Sequence, residues 1–310
     1  CTNSTFGGLY IKDNWKNYGL INMNNKFQQT KNDKKEEINS DENHEENNHL
    51  KNDIDHNESE DKTNIPDEGN NTAEEKSKEE DESIDHEEII NSEEGLIRWL
   101  EFLHKYGISI IKNAPTEKNS AFPLLHRISH TRETFFKTPF EVINISNKPN
   151  NSAYTAHALR NHLDLPYYET PPGYQFLHCL VNTADGGKSS AVDGFAVAEY
   201  LKKNDKDAFD LLTTVPLKWK DNDWTQKTRR IFHSTAITLT KDKDYNDIRF
   251  SVATMDALDC HPDLMEQVYK VHHKFGTLLH DDKFVIKFRL EPGDIFSFNN
   301  RRVLHGRTAF

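Results

Sequence analysis

The 310 residues carry a formal net charge of −12 at pH 7, and a chain of this length accommodates one large domain or two small ones. The acidity is local: residues 31–92 hold 23 Asp and Glu against 7 Lys, whereas the remainder, with 28 acids and 32 bases, is close to balanced. No basic stripe interleaved with aromatic residues marks a nucleic-acid surface, no apolar run reaches the ~20 residues of a membrane span, and the widely spaced Cys1, Cys179 and Cys260 imply no disulfide framework.

Residues 1–30 contain Leu9-Tyr10-Ile11 and Trp15, enough for an edge strand but with no recognisable chemistry. Residues 31–92 are Asn, Asp, Glu and Lys with no aromatic residue. They read as a long disordered acidic insert, because little apolar surface is available to offset ordering entropy. Order is expected to resume at residue 93, opening a domain over 93–310. Leu96, Trp99, Leu100 and Leu103 have helical spacing, and Gly107 supplies the terminating residue. A strand follows over 108–111, a second helix is expected over 121–134 and a strand over 141–145.

From residue 153 the pattern is mostly short strands. The exceptions are a helix at about 196–204, another at 205–212, and the longest at 262–279, where Leu264, Val268, Val271, Phe275 and Leu279 keep step. Strands are expected over 174–180, 190–195, 217–220, 229–241, 247–254, 284–290, 295–298 and 303–305. The fold class expected is mainly β with flanking helices (α+β), arranged as a double-stranded β-helix or jelly-roll barrel. The chain begins with Cys and stops inside an apparent motif, so it reads as a fragment of an intracellular protein, truncated at both ends.

The stretch Asn161-His162-Leu163-Asp164 places a His and an Asp two residues apart. In a strand such residues share a face, so an imidazole and a carboxylate would converge. Two other pairs of this kind occur, His261/Asp263 and His280/Asp282. Each is read as a solvated surface pair, because neither leaves room for a barrel before the next strand-borne His. His162 does: His305 lies far downstream in Val303-Leu304-His305. Two His and one carboxylate with open positions opposite form the facial triad of non-haem Fe(II) oxygenases.

Several segments together resemble the γ-butyrobetaine dioxygenase family of Fe(II)/2-oxoglutarate oxygenases, which is similar to the taurine and trimethyllysine dioxygenases. They are His162-Leu163-Asp164, Pro171-Pro172-Gly173-Tyr174-Gln175-Phe176-Leu177-His178-Cys179, Gly186-Gly187-Lys188-Ser189, Val192-Asp193-Gly194-Phe195, Leu290-Glu291-Pro292-Gly293-Asp294 and Asn299 to Arg307. The resemblance covers 93–310. It implies Fe(II) held by His162, Asp164 and His305, with 2-oxoglutarate and O2 as cosubstrates and ascorbate as reductant. It implies Ser189 on the far carboxylate of 2-oxoglutarate. A partnering Arg is expected about a dozen residues past His305, beyond Phe310; Arg307 is too close to replace it and is expected to brace the strand end.

For the substrate, the resemblance implies an aromatic cage for a trimethylammonium head at Phe136, Phe140 and Tyr154, with Asn151 on the substrate carboxylate. Two positions depart from the family pattern. Leu165 stands where an aromatic residue is usual, and Ser251 where Asn is frequent. The activity expected is hydroxylation of γ-butyrobetaine to L-carnitine, with trimethyllysine hydroxylation as the alternative. Two further readings are a non-catalytic metal-binding relic and a cupin-like barrel using another metal. A cytoplasmic (or mitochondrial) homodimer is expected, with no membrane or nucleic-acid partner.

Overall fold

Ser92 and Gly107 delimit the first long helix. In the computed structural model, which describes residues 4–7, 83–137, 139–144 and 152–310, helix α2 runs Glu93–Tyr106. The Ser92 Oγ accepts from the Gly95 N–H at 2.8 Å, Glu93 and Glu94 occupy the first turn, and Gly107 ends the helix at φ +78°. This is an N-cap, dipole-favoured acids and a left-handed terminator. The helix buries Leu96, Trp99 and Leu103. Order begins before it, earlier than expected. Strand β2 (Ser83–Asp85) and helix α1 (His86–Asn91) precede it, Asp85 caps α1, and Ile84 and Ile89 are buried. Ile84 and Ile89, nine and four residues before the expected boundary at 93, anchor this segment in the core. The Leu9-Tyr10-Ile11 strand and the acidic residues before 83 lie outside the described residues.

Two sheets form the frame. The first has the order β1-β5-β12-β3-β2, with β1 Ser4–Gly7, β3 Ile108–Lys112, β5 Tyr174–His178 and β12 Ile295–Asn299. The second has the order β11-β6-β13-β4, with β4 Leu159–His162, β6 Ser189–Asp193, β11 Val285–Phe288 and β13 Val303–Arg307. Ile108, Phe296 and Phe298 of the first sheet share one buried cluster with Ala191, Ile286 and Val303 of the second. Their inner faces therefore pack as a sandwich. Among the described residues the strand pairing does not close into a cylinder; it divides into these two sheets and two hairpins. The hairpins are β7 (Leu217–Asp223) with β8 (Thr228–Ser234) and β9 (Ile237–Leu239) with β10 (Tyr245–Ile248).

Helices flank the frame. α4 (Gly194–Asn204), α5 (Lys206–Thr214) and α6 (Pro262–Leu278) contribute Leu201, Phe209 and Phe275 to the largest core, which also holds Val192, Trp219, Ile248 and Leu304. Asp193 starts α4, its carboxylate accepting from the Phe195 and Ala196 N–H groups. That carboxylate is buried and also pairs with Arg302 at 2.8 Å, tying the turn before β13 to the end of β6. The expected helix over 121–134 is only α3, Phe122–His126, burying Leu124 and Leu125. Residues 129–134 hold no apolar side chain to continue its stripe. Residues 141–144 form no strand, because no sheet edge pairs with them.

His272 of α6 is buried and stacks on Phe250, with ring centroids 4.8 Å apart and 20° between planes. Burial, with the neighbouring His273 adding to it, pushes its pKa down to about 4. A folded-state pKa below the unfolded value means that the unfolded chain takes up the proton first, so stability falls as pH drops from about 6.5 towards 4. At pH 5 this one group costs about 2 kcal/mol relative to pH 8. The His272→Leu variant should lose that much less stability between pH 8 and pH 5, as read from urea midpoints at the two pH values. An unchanged pH dependence would contradict the assignment.

Candidate metal centre

Strand β13 is the spine of the site. It lies between β4 and β6, and its register sets His305 opposite His162 on β4. The two rings come to 4.5 Å between centroids. The next residue must be small. A Cβ on Gly306 would lie 2.6 Å from the Leu159 carbonyl oxygen, 2.7 Å from Asn161 Oδ1 and 2.8 Å from Ser190 Oγ.

Asp164 reaches the same point by a different route from the one its spacing suggests. β4 ends at His162, and Asp164 lies in the bend beyond it. Its backbone is held by one side chain: the Asp164 N–H donates to Asn300 Oδ1 at 3.1 Å, and Asn300 Nδ2 donates to the Asp164 carbonyl at 3.1 Å. Asn300 is fully buried and donates also to the Pro172 carbonyl. The following residue, Leu165, is buried with φ +61°, a conformation that costs a β-carbon residue about a kcal/mol or more. Downstream, the buried Arg249 guanidinium donates to the Pro166, Tyr168 and Glu169 carbonyls while its Nε pairs with Asp247, and Arg301 donates to the Pro171 carbonyl. Side-chain donors thus replace strand pairing along this loop.

His162, Asp164 and His305 each offer one donor atom, all within 4.8 Å of one another. His162 Nε2 lies 3.1 Å from Asp164 Oδ1, and His305 Nε2 lies 3.7 Å from Asp164 Oδ2. Two ligands at right angles, each about 2.1 Å from a metal ion, would be about 3 Å apart, so the cluster fits a divalent ion. Two of the three protonation states fit as well, and the proton that Asp164 favours on His162 is one that a bound metal ion would displace. His162 Nδ1 meets the Arg160 carbonyl at 2.8 Å, which directs the Nε2 lone pair inward. Burial disfavours a charge on Asp164, but hydrogen bonds from His162 and Gln175 help to hold its carboxyl well below the usual range. Burial likewise opposes a charged His162, yet its hydrogen bond and attraction to Asp164 raise its pKa overall. Burial drives His305 down to about 3, leaving it a neutral donor at physiological pH.

A cavity of about 550 Å³ opens onto these atoms, lined by all three together with Ser189, Phe136 and Phe140. The Ser189 hydroxyl makes no hydrogen bond to the protein among the described residues. The Phe136 and Phe140 rings pack with centroids 4.7 Å apart, tilted by 48°, and Tyr154 packs on Phe140 at 5.6 Å. Tyr154 is not itself a lining residue, and Asn151 lies outside the described residues. Leu165 and Ser251 are both in the wall. Arg307 donates to the Thr155 and His157 carbonyls, bracing that segment.

Tyr167, Gln175 and Asp221 also line the cavity, and sequence reasoning did not single them out. Gln175 alone carried a signal, inside a recognised motif; its Oε1 is buried and has no partner among the described residues. Because Asn300 grips Asp164 by donor and acceptor at once, Asn300→Ala should weaken divalent-metal affinity about 10- to 100-fold. Calorimetric titration against wild type checks this, and equal affinity in a folded variant would show that Asp164 does not need the clamp.

The comparisons agree with this geometry. The model of the family described as Taurine catabolism dioxygenase TauD, TfdA family matches residues 72–310, beginning inside the segment expected to be disordered. The chain is 35% identical over 226 residues to the gamma-butyrobetaine dioxygenase of Pseudomonas sp. (strain AK-1), covering 73% of this chain and 58% of that protein. It is 29% identical over 232 residues to the mitochondrial trimethyllysine dioxygenase of Rattus norvegicus, covering 74% of this chain and 55% of the relative. It thus spans little more than half the length of either relative. The structure of asparagine oxygenase in complex with Fe(II), 2S,3S-3-hydroxyasparagine and succinate superposes with a TM-score of 0.54 at 14% identity, over 74% of this chain and 88% of that one. Two sandwiched sheets, a His-Asp-His cluster in the wall of a cavity and these likenesses converge: the chain belongs to the TauD/TfdA dioxygenase family.

Proposed function

We propose that the protein is an Fe(II)/2-oxoglutarate-dependent oxygenase that hydroxylates a trimethylammonium substrate, with γ-butyrobetaine to L-carnitine as the reaction. The observation that carries this reading is the convergence of His162, Asp164 and His305 on a cavity whose wall includes Phe136, Phe140 and Tyr167. The two sheets are read as the halves of a double-stranded β-helix. Their sandwich supports this, as does the placement of two ligands on paired strands β4 and β13.

In this reading His162, Asp164 and His305 hold the iron. Bound iron with 2-oxoglutarate and O2 supplies the oxidising power, one oxygen atom entering the substrate C–H bond and the other leaving in succinate as CO2 is lost. The rest is the work of the protein. Asn300, Arg249 and Arg301 keep the ligand loop fixed, so little reorganisation is needed on binding. Ser189 offers its hydroxyl to the cosubstrate's far carboxylate. The aromatic wall receives the trimethylammonium group by cation–π attraction and excludes water. A cavity of about 550 Å³ lies within the usual range for sites that enclose small organic ligands.

Trimethyllysine is the second substrate to test, because Leu165 and Ser251 stand in the wall where γ-butyrobetaine enzymes usually have an aromatic ring and often an amide, which weakens the case for γ-butyrobetaine. Ascorbate stimulation, a homodimer and a cytoplasmic location, with the mitochondrion as alternative, belong to the same proposal. Among the described residues no helix is long and apolar enough to cross a membrane.

Succinate formation from 2-oxoglutarate by the full-length natural protein, with Fe(II) and ascorbate, tests the reading. The expected result is stimulation by γ-butyrobetaine, falling at least about 100-fold in His162→Ala. Stimulation by trimethyllysine alone would move the substrate and keep the chemistry. No succinate with either amine, or without one, would overturn the proposal and favour a non-catalytic metal-binding protein.

A further inference from the structure

The cavity wall contains two acids, Asp164 and Asp221. Asp164 is committed to the His cluster, so Asp221 is the one anionic side chain left among the described lining residues to face a bound cation. It lies on β7, well away in sequence from the other cavity residues, and its side chain is 25% exposed. Only one carboxylate oxygen is engaged: Arg230 donates to Oδ2 at 2.8 Å. Among the described residues nothing donates to Oδ1. Tyr167 is another wall residue, whose phenol is held neutral first by burial and then by the negative charges of Asp221 and Asp164.

Arg230 has a second contact. Its guanidinium carbon lies 3.6 Å from the Phe135 ring centroid, and Phe135 packs at a tilt against the wall residue Phe136, with centroids 4.1 Å apart. From the same hairpin, Gln226 Nε2 donates to the Phe135 carbonyl. The β7–β8 hairpin therefore grips the aromatic segment from outside and presents a half-paired carboxylate inside. Aromatic faces attract any cation within about 6 Å. They favour a quaternary ammonium over a neutral group of the same shape, and a fixed carboxylate in a partly desolvated wall adds to that preference.

We infer that Asp221 is the anionic counter-group of the substrate's cationic head, and that Arg230, paired to its other oxygen, weakens that field and so sets how strongly the site discriminates charge. This deepens the trimethylammonium reading and rests on it. Asp221 is a specificity residue that takes no part in the oxidation. Its free Oδ1 also predicts tolerance of dimethylammonium analogues, which carry an N–H to donate.

The test compares γ-butyrobetaine with 5,5-dimethylhexanoate, in which carbon replaces the charged nitrogen. Dissociation constants are measured on the full-length protein with metal and 2-oxoglutarate in the absence of O2. Asp221→Asn preserves the acceptor for Arg230 and hence the hairpin's grip on Phe135, but removes the charge. It should weaken γ-butyrobetaine about five- to tenfold while shifting the neutral analogue by less than about twofold. Arg230→Gln, which keeps a donor to Asp221, should change the ratio of the two constants in the opposite direction. Equal weakening of both ligands in Asp221→Asn would show that the residue only braces the hairpin, and no change in either would remove it from the site; both results overturn the inference while leaving the oxygenase reading intact. If the wild-type protein binds neither γ-butyrobetaine nor trimethyllysine, the trimethylammonium reading fails and takes this inference with it.

Discussion

The register of β13 against β4 is the constraint on which the site depends. His305 and His162 are cross-strand partners, so their separation is set by backbone hydrogen bonds and not by flexible side chains. A slip of one residue would turn His305 to the opposite face and bring Leu304 or Gly306 to its place. Close packing defends the register from both sides. Gly306 leaves no room for a side chain against Leu159, Asn161 and Ser190, and Phe298 packs on the His305 ring at 4.7 Å. The Arg302–Asp193 pair locks the turn that feeds β13 to the strand on its other side. Both of its members are buried, so breaking it by removing one partner leaves an uncompensated charge, at a cost of roughly 3–5 kcal/mol.

The third ligand belongs to a different kind of structure. Asp164 is off the end of the strand, where no ladder fixes the chain. Three polar side chains remote in sequence (Arg249, Asn300 and Arg301) supply the missing hydrogen bonds to residues 164–172. The arrangement lets an irregular loop be as fixed as a strand while its side chains point where no strand would send them. It also explains why a left-handed Leu165 persists, since the surrounding bonds over-determine its backbone. The same loop carries Tyr167 into the cavity, so metal geometry and substrate wall share one set of staples.

Much of this was legible in the residues. His162, Asp164 and His305 could be proposed as one cluster because strand periodicity and a barrel-length interval leave few other partners. Helix ends could be read where caps are local, at Gly107 and at Pro262. Where the signal was non-local, reading failed. Asn300 and Arg249 look like ordinary polar residues until the fold brings Asp164 and the 166–169 carbonyls to them. Asp221 sits in a hairpin with no motif, and its place in the wall follows only from tertiary closure. The expected helix over 121–134 overran α3 because the apolar stripe stops at Ile128 and most of the residues after it (Ser129, His130, Thr131 and Thr134) are weak helix formers. The domain start at 93 was late because an acidic context obscured Ile84 and Ile89, which are buried. The convergence of His162 and Asp164 was anticipated on a strand argument that holds only for the first of them.

The central claim is that three side chains, joined by one register and one clamped loop, form a single divalent-metal site. The most direct measurement is an anaerobic titration of the full-length protein with Fe(II), followed by calorimetry, on wild type and on Asp164→Ala and His305→Ala. The account predicts one ion per chain in wild type and loss of that binding in both variants, with far-ultraviolet circular dichroism unchanged. Retention of wild-type stoichiometry and affinity in either folded variant would contradict it.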